Sequence, residues 1–148
     1  MNIAHRSIIT AVIAFALSAC ATGPKYAEVQ SSIPALDPAK GRIYFYRSGN
    51  PFGSGIQPSV MLNGGKVGDS VPGGFFFVDR DPGNHEVLLS TEVDRKLTFT
   101  LAKGQEQYVR MSVTLGVIVY RVFPELVDAA AAREEIRDLS YIGEVLKK

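Results

Sequence analysis

The chain has one cysteine, Cys20, and two histidines, His5 and His85. A single cysteine cannot form an intrachain disulfide, and it cannot belong to a cysteine cluster that would hold zinc. Neither sign of charge is in excess, since 16 Lys and Arg residues oppose 15 Asp and Glu residues and leave a formal net charge of +1. This balance argues against a basic nucleic-acid-binding domain and against an acidic disordered tail.

The first apolar run, at 7–19, is too short to cross a membrane. It has thirteen residues without a charge, whereas about 20 are needed to span the hydrocarbon core of a bilayer. A run of this length after the positive charge of Arg6 is typical of a secretory signal peptide. We therefore predict a signal peptide at 1–19.

The run ends at Leu17-Ser18-Ala19-Cys20, which resembles the lipobox of bacterial lipoproteins. In that family the cysteine is diacylated on sulfur and the signal is cut just before it, so the resemblance implies a lipid-anchored chain that begins at Cys20. Ala21, where enteric lipoproteins of the inner membrane carry Asp, implies the outer membrane, facing the periplasm, in a Gram-negative source. Two alternatives are an ordinary signal cut between small residues and a buried helix with Cys20 in the core.

Residues 20–40 show no sustained helical or strand period, and three prolines interrupt them. We predict a flexible tether that carries the lipidated Cys20 and that could reach roughly 65–70 Å if fully extended. The alternative is that part of it, such as Ile33 to Leu36, packs along the domain.

From Gly41 onward, apolar and polar residues alternate in short runs that predict β-strands. The alternation is clearest where Leu97, Phe99 and Leu101 share one face. Asn63-Gly64-Gly65 and the sequence at 81–84 are typical of tight turns and favour antiparallel pairing. The eight predicted strands are Arg42–Arg47, Ser59–Asn63, Lys66–Ser70, Gly74–Asp79, His85–Thr91, Arg95–Leu101, Gln107–Thr114 and Val117–Phe123.

A different pattern follows Pro124, where four alanines and no glycine predict a C-terminal α-helix up to Leu139. Its apolar stripe includes Leu126, Ala132 and Ile136, and we expect it to cover one face of the strand at Val117–Phe123. The predicted fold is mainly β: a single antiparallel β-sandwich of about seven to eight strands with a C-terminal helix, occupying 41–148.

Several of these segments together resemble known families. The run Val60–Gly68, followed by the segments at 73–78 and 81–87, resembles the hairpin and turn of PEGA-type modules. With 41–47 and 103–110 added, the chain resembles the bacterial lipoproteins grouped as domain of unknown function 2846. The resemblance covers about 41–123 and implies a small prealbumin-like β-sandwich with a lipid anchor. It implies no activity.

Residues that could carry chemistry are few and isolated. His85 has no second histidine or free cysteine beside it, which favours local hydrogen bonding over catalysis or metal binding. The Gly-rich loop at 48–57 lacks a lysine and precedes a strand, unlike a phosphate-binding loop. Asp79 and Asp81 lack the other ligands of a calcium loop, so turn capping is favoured. We predict no catalytic residue, no metal site and no cofactor.

Four side chains on two predicted strands could share an outward face: Tyr44, Tyr46, Tyr108 and Arg110. Tyrosine and arginine are common at recognition surfaces, although stabilising aromatic pairs between strands are the alternative. We therefore predict an envelope lipoprotein that acts by contact, as a binding or structural-accessory module. Its partners would be the membrane and an envelope protein, and not nucleic acid. The alternative is a small envelope enzyme, a hydrolase or transferase with an unrecognised site.

Overall fold

The computed structural model describes residues 20–144 and residue 146, so the predicted signal peptide lies outside the described residues. Within them the chain is mainly β, with nine strands in two sheets and two short α-helices. Neither described helix is long and apolar enough to cross a membrane.

Eight of the nine strands overlap the eight predicted segments, and their ends differ from the predicted ends by at most four residues. The short ninth strand was not predicted. The strands are β1 (Gly41–Tyr46), β2 (Ser59–Leu62), β3 (Gly65–Asp69), β4 (Gly74–Arg80), β5 (Gly83–Ser90), β6 (Asp94–Leu101), β7 (Glu106–Leu115), β8 (Tyr120–Val127) and β9 (Ser140–Tyr141). The helices are α1 (Tyr26–Val29), which continues into a 3-10 turn at Gln30–Ser32, and α2 (Ala129–Ile136).

One sheet has the strand order β8-β7-β1-β4-β9, and the other has the order β3-β2-β5-β6. Of the seven strand pairings in the described part of the chain, five are antiparallel, while β1–β7 and β4–β9 are parallel. The expectation of a wholly antiparallel fold is therefore wrong for two pairs. Between β1 and β7 the chain forms β4 and all four strands of the second sheet. This long connection brings β7 back to the end of the sheet at which β1 begins, so the two strands can pair in parallel.

The core lies between the two sheets and is built on β1, whose six residues are all buried. Phe45 stacks on Phe76 with ring centroids 5.1 Å apart. Phe76 in turn lies against Gly68 of the second sheet, where an added Cβ would come within 2.5 Å of the ring. A glycine at 68 thus allows the two sheets to approach each other.

The segment expected to be a tether packs along the domain instead. The backbone N–H of Tyr26 donates to the carbonyl of Leu139 at 3.0 Å. The carbonyl of Pro34 accepts from Nη1 of Arg42 at 2.9 Å. These bonds hold the segment to the domain at Tyr26 and Pro34, so the flexible tether is replaced by the packed alternative.

The predicted C-terminal helix begins later than Pro124. Strand β8 continues through Pro124, which pairs with Met111 of β7. Proline is tolerated there because β8 is the outermost strand of its sheet and can lack a ladder hydrogen bond. Leu126, which was placed on the apolar stripe of the helix, is instead a strand residue and is 41% exposed.

Helix α2 starts only after Asp128, whose carboxylate accepts from the N–H of Ala130 at 2.9 Å. This is an N-cap, which satisfies a backbone donor that would otherwise lack a partner. Ala132 and Ile136 are buried, and the helix packs on β7. It therefore covers the outer face of the five-stranded sheet, and not the strand at Val117–Phe123 as expected.

Candidate functional site

The four residues of the predicted recognition surface lie side by side on the five-stranded sheet. In the parallel pairing of β1 with β7, Tyr44 is opposite Tyr108 and Tyr46 is opposite Arg110. The rings of Tyr44 and Tyr108 stack with centroids 4.9 Å apart and planes 4° apart. The structure thus brings all four to one face, which points away from the second sheet.

These tyrosines do not form an exposed patch. The exposed fraction is 6% for Tyr44, 0% for Tyr46 and 3% for Tyr108. Helix α2 lies over this face, and Nε of Arg133 donates to the Tyr108 hydroxyl at 3.0 Å. The expectation of an outward, solvent-facing surface is therefore wrong for the three rings. The stacking of Tyr44 on Tyr108 is the cross-strand aromatic packing that was the alternative.

An open cleft of about 800 Å³ lies at one end of the same face. Tyr46 and Arg110 line it, together with Asn50 and Phe52 from the Gly-rich loop and Thr114 from β7. Two of the four predicted residues therefore belong to the cleft, and the loop at 48–57 frames it. Tyr44 and Tyr108 do not line it.

Arg110 is paired with two acids in this region. Its Nε donates to Glu125 at 2.9 Å and its Nη1 donates to Glu135 at 2.7 Å. Desolvation opposes the charge of Arg110, but the bonds to the two carboxylates outweigh it and raise the pKa of the guanidinium. Desolvation also opposes the charge of Glu125, yet bonds from Ser112 and Arg110 lower its pKa. Because two carboxylates surround one guanidinium, the cleft is not built to bind an anion.

The hydroxyl of Tyr46 is buried and has no hydrogen-bond partner among the residues that the structure describes. Burial, reinforced by the neighbouring Glu135 carboxylate, raises the pKa of Tyr46, so the hydroxyl keeps its proton at neutral pH. A buried polar group without a partner costs about 1–3 kcal/mol. The Tyr46 hydroxyl is therefore an unsatisfied donor beneath the cleft, and the Glu135 carboxylate is a neighbouring acceptor that it does not reach with good hydrogen-bond geometry.

Arg47 is a functional element that the sequence analysis missed. It is 1% exposed. Its Nη1 donates to the carbonyls of Ile56 at 2.6 Å and Ser70 at 2.9 Å, and its Nη2 donates to Gly53 at 2.8 Å. Burial lowers the pKa of its guanidinium. Arg47 thus attaches the Gly-rich loop, and with it one wall of the cleft, to the end of β3.

A signal for Arg47 is present in the sequence. The alternation that places Ile43 and Phe45 toward the second sheet places Arg47 there as well. The residues at 48–65 include no acid that could pair with it. A core-facing arginine followed by an uncharged, glycine-rich loop indicates that backbone carbonyls of that loop accept its hydrogen bonds.

His85 is 8% exposed, and both of its ring nitrogens are occupied. Nε2 lies 2.9 Å from the carbonyl of Asp81, which can only accept, so Nε2 carries the proton. Nδ1 then accepts from the side-chain amide of Asn63 at 2.9 Å, while the oxygen of Asn63 accepts from the N–H of Glu86. His85 therefore ties the β2–β3 turn to the β4–β5 turn.

The two aspartates considered for calcium are engaged as counterions. Asp79 accepts from Nε and Nη2 of Arg42 at 2.6 and 2.8 Å, and Asp81 accepts from Nζ of Lys40 at 2.7 Å. Within residues 20–144 and 146, no group of three or more His, Cys, Asp or Glu side chains is placed to hold a metal ion.

Cys20, the predicted lipidation residue, carries an exposed, free thiol at the start of the described chain. The next residue is held in place, since the N–H of Ala21 donates to the carbonyl of Pro72 at 2.9 Å. Cys20 therefore stands beside the turn that joins β3 to β4.

The comparisons with known proteins give one match. No curated protein and no solved structure is similar enough to match the chain. A family model described as a protein of unknown function, DUF2846, matches residues 37–122. The match runs from just before β1 into β8 and covers more than half of the chain. The chain therefore belongs to the DUF2846 family.

Proposed function

We propose that the protein is a lipoprotein of the bacterial cell envelope, anchored through Cys20 to the outer membrane and facing the periplasm. The lipobox-like sequence at 17–20 supports the anchor, and so does the exposure of the Cys20 thiol. The two sheets, packed around a shared core, would form a prealbumin-like β-sandwich. The domain would serve as a binding or structural-accessory module.

The observation that carries the binding role is the open cleft beside α2, which the exposed ring of Phe52, polar Asn50 and Thr114 line. The carboxylate of Glu135 also lines the cleft and disfavours an anionic ligand group. An extended segment of an envelope protein, with backbone carbonyls and apolar side chains, matches these features.

The hydrogen bonds of His85 also agree with a protein that acts by binding and not by catalysis. Histidine is the most common general acid or base near neutral pH, because its ordinary pKa is closest to that range. Both nitrogens of His85 are bonded to structural partners. His85→Ala should lower the melting temperature but still complement a deletion strain at a permissive temperature. Failure of the folded variant to complement would favour the envelope-enzyme alternative.

The anchor is tested with Cys20→Ser. The lipoprotein peptidase acts on the acylated cysteine, so this variant should accumulate as uncleaved precursor without lipid. Mass spectrometry of the wild-type and variant chains from membranes measures both effects. A wild-type chain without acyl groups would contradict the anchor.

The binding role of the cleft is tested by a substitution that places a larger side chain in it. Thr114 is exposed and lines the cleft, so Thr114→Arg should block a bound segment without disturbing the core. Thr98→Arg is the matched control, because Thr98 is an exposed strand residue on the other sheet. Thr114→Arg should abolish complementation and capture of a partner from detergent-solubilised membranes, and Thr98→Arg should retain both. Equal behaviour of the two variants would contradict a binding role for the cleft.

A further inference from the structure

The β7–β8 hairpin ends in an unusual concentration of exposed apolar side chains. Its base pairs with β1 only as far as Arg110, whereas the ladder with β8 continues to Leu115 opposite Tyr120. At this tip Leu115 is 74% exposed, and Val117 and Ile118 are each 85% exposed. The whole stretch from 111 to 120 carries no charge. Apolar residues clustered on a projecting element indicate an interaction surface.

The tip is braced by the neighbouring turn between β5 and β6. The carboxylate of Glu92 accepts from the backbone N–H of Val117 at 3.2 Å and of Ile118 at 2.9 Å. It also accepts from Nε of Arg121 at 2.6 Å. The tip therefore presents its side chains on a fixed backbone, and the charge of Glu92 is compensated by Arg121.

The start of the described chain lies at the same end of the domain as this tip. Ala21 is bonded to Pro72, and the N–H of the following residue, Gly73, donates to the carbonyl of Arg47 at 3.1 Å. The loop that follows Arg47 leads to Phe52, which is 63% exposed and lies 6.4 Å from the ring of Tyr120 in β8. Cys20, Phe52 and the hairpin therefore share one end of the two sheets.

Because the N-terminal segment packs on the domain, no flexible linker separates Cys20 from the end of the sheets that carries the hairpin tip. A free tether of about 20 residues could have held the domain tens of ångströms from a membrane. Because Ala21 is bonded to Pro72, acyl chains on Cys20 would hold this end of the domain directly against the bilayer.

We propose that the apolar tip, defined as residues 115–119, inserts into the same lipid surface that holds the acyl chains of Cys20. This inference rests on the proposed lipidation of Cys20. Insertion would bury apolar side chains that water now surrounds. It would also leave few backbone donors without partners, since Glu92 already accepts from Val117 and Ile118. The domain would then be oriented on the membrane by two contacts and not by the lipid alone.

The test uses the full-length protein, purified in its lipidated form and reconstituted in vesicles of phosphatidylethanolamine and phosphatidylglycerol. Ile118→Cys introduces a unique reactive thiol, because Cys20 is acylated, and this thiol takes a nitroxide spin label. Lys103→Cys is the matched control, since Lys103 lies in the exposed β6–β7 turn at the opposite end. The rate of collision with oxygen is high for a label in lipid, because oxygen partitions into the bilayer. The rate of collision with a polar nickel chelate is high for a label in water.

We expect the label at 118 to show several-fold lower nickel accessibility and higher oxygen accessibility than the label at 103. Equal accessibilities at the two positions in a chain shown by mass spectrometry to be acylated would overturn the inference and leave the proposed anchor intact. Exclusion of both colliders at 118 would also overturn it, because a second copy or a protein partner would then cover the tip. A chain without acyl groups would overturn the anchor itself, and the inference with it.

Discussion

Replacing Tyr46 with phenylalanine should stabilise the protein, because it removes a buried hydroxyl that makes no hydrogen bond. The ring of Tyr46 is 0% exposed, and its hydroxyl has no hydrogen-bond partner among the described residues. In the unfolded chain the same hydroxyl is hydrated, so folding removes its hydrogen bonds to water without replacing them. Tyr46→Phe removes that penalty and keeps the ring in place.

The expected gain follows from the cost of an unsatisfied buried polar group, which is about 1–3 kcal/mol. We expect Tyr46→Phe to raise the free energy of unfolding by about 1 kcal/mol, at the lower end, because the emptied volume is not refilled. Tyr46→Ala would behave differently. It removes the ring as well and should cost about 3–5 kcal/mol, as other buried aromatic truncations do.

Tyr108 provides the matched control on the adjacent strand. It is also buried, but its hydroxyl donates to Glu106 at 2.8 Å and accepts from Arg133 at 3.0 Å. Tyr108→Phe loses both bonds, and the two charged partners remain paired with each other at 2.9 Å. We expect it to lower the free energy of unfolding by about 1–2 kcal/mol. The same chemical change should thus have opposite signs at two neighbouring positions.

Urea denaturation of the chain expressed from residue 20 onward, without 1–19 and carrying Cys20→Ser to avoid the lipid, measures both changes from the transition midpoints at constant slope. If Tyr46→Phe destabilised the protein by about 1 kcal/mol or more, the hydroxyl would have an acceptor in solution, such as Glu135. The argument from an unsatisfied donor would then fail. In the lipidated protein Tyr46→Phe should leave partner capture intact, since the hydroxyl is buried and out of reach of a partner in the cleft.

Two further predictions concern the second sheet and the hairpin tip. Phe99→Ala should lower the free energy of unfolding by about 3–5 kcal/mol, and Thr98→Ala should change it little; equal costs in thermal or urea unfolding would contradict the assignment of inner and outer faces. The hydrogen bond from Arg121 lowers the pKa of Glu92 below its ordinary value of 4.5, so this interaction stabilises the fold above that pH and is lost as the pH falls through the lowered pKa. Glu92→Gln should therefore weaken the loss of stability on acidification, and an unchanged acid transition would show that the tip is not braced in this way.

The positions of the strands could be predicted from local sequence, because each rests on interactions between near neighbours. In β6, Phe99 and Leu101 are buried while Thr98 and Thr100 are exposed, as a period of two requires for a half-buried strand. Asn63 and Gly64 have φ values of 51° and 82°. These are the positive values that a tight hairpin demands and that Asn and Gly adopt most readily.

The candidate site could be predicted only in part. Strand alternation placed Tyr46 and Arg110 each on one face of its own strand, whereas their contact depends on the pairing of β1 with β7. The burial of Tyr46 did not follow from the sequence, because an alternating pattern says which residues share a face but not what covers that face. Tyrosine occurs both at surfaces and in protein interiors, because it carries a polar hydroxyl on an apolar ring. The residue type therefore did not predict that Tyr46 and Tyr108 are buried.

The sequence by itself determined the strands, the tight turns and the amphipathic faces, since these depend on residues close together in the chain. The tertiary structure alone decided the parallel pairing of β1 with β7, the extension of β8 through Pro124 and the packing of residues 21–40 on the domain. The physical reason is that each of these depends on partners distant in the chain. An edge position in the sheet permits a proline, the carbonyl of Leu139 accepts from the N–H of Tyr26, and a returning helix buries a face that the local pattern leaves open to water.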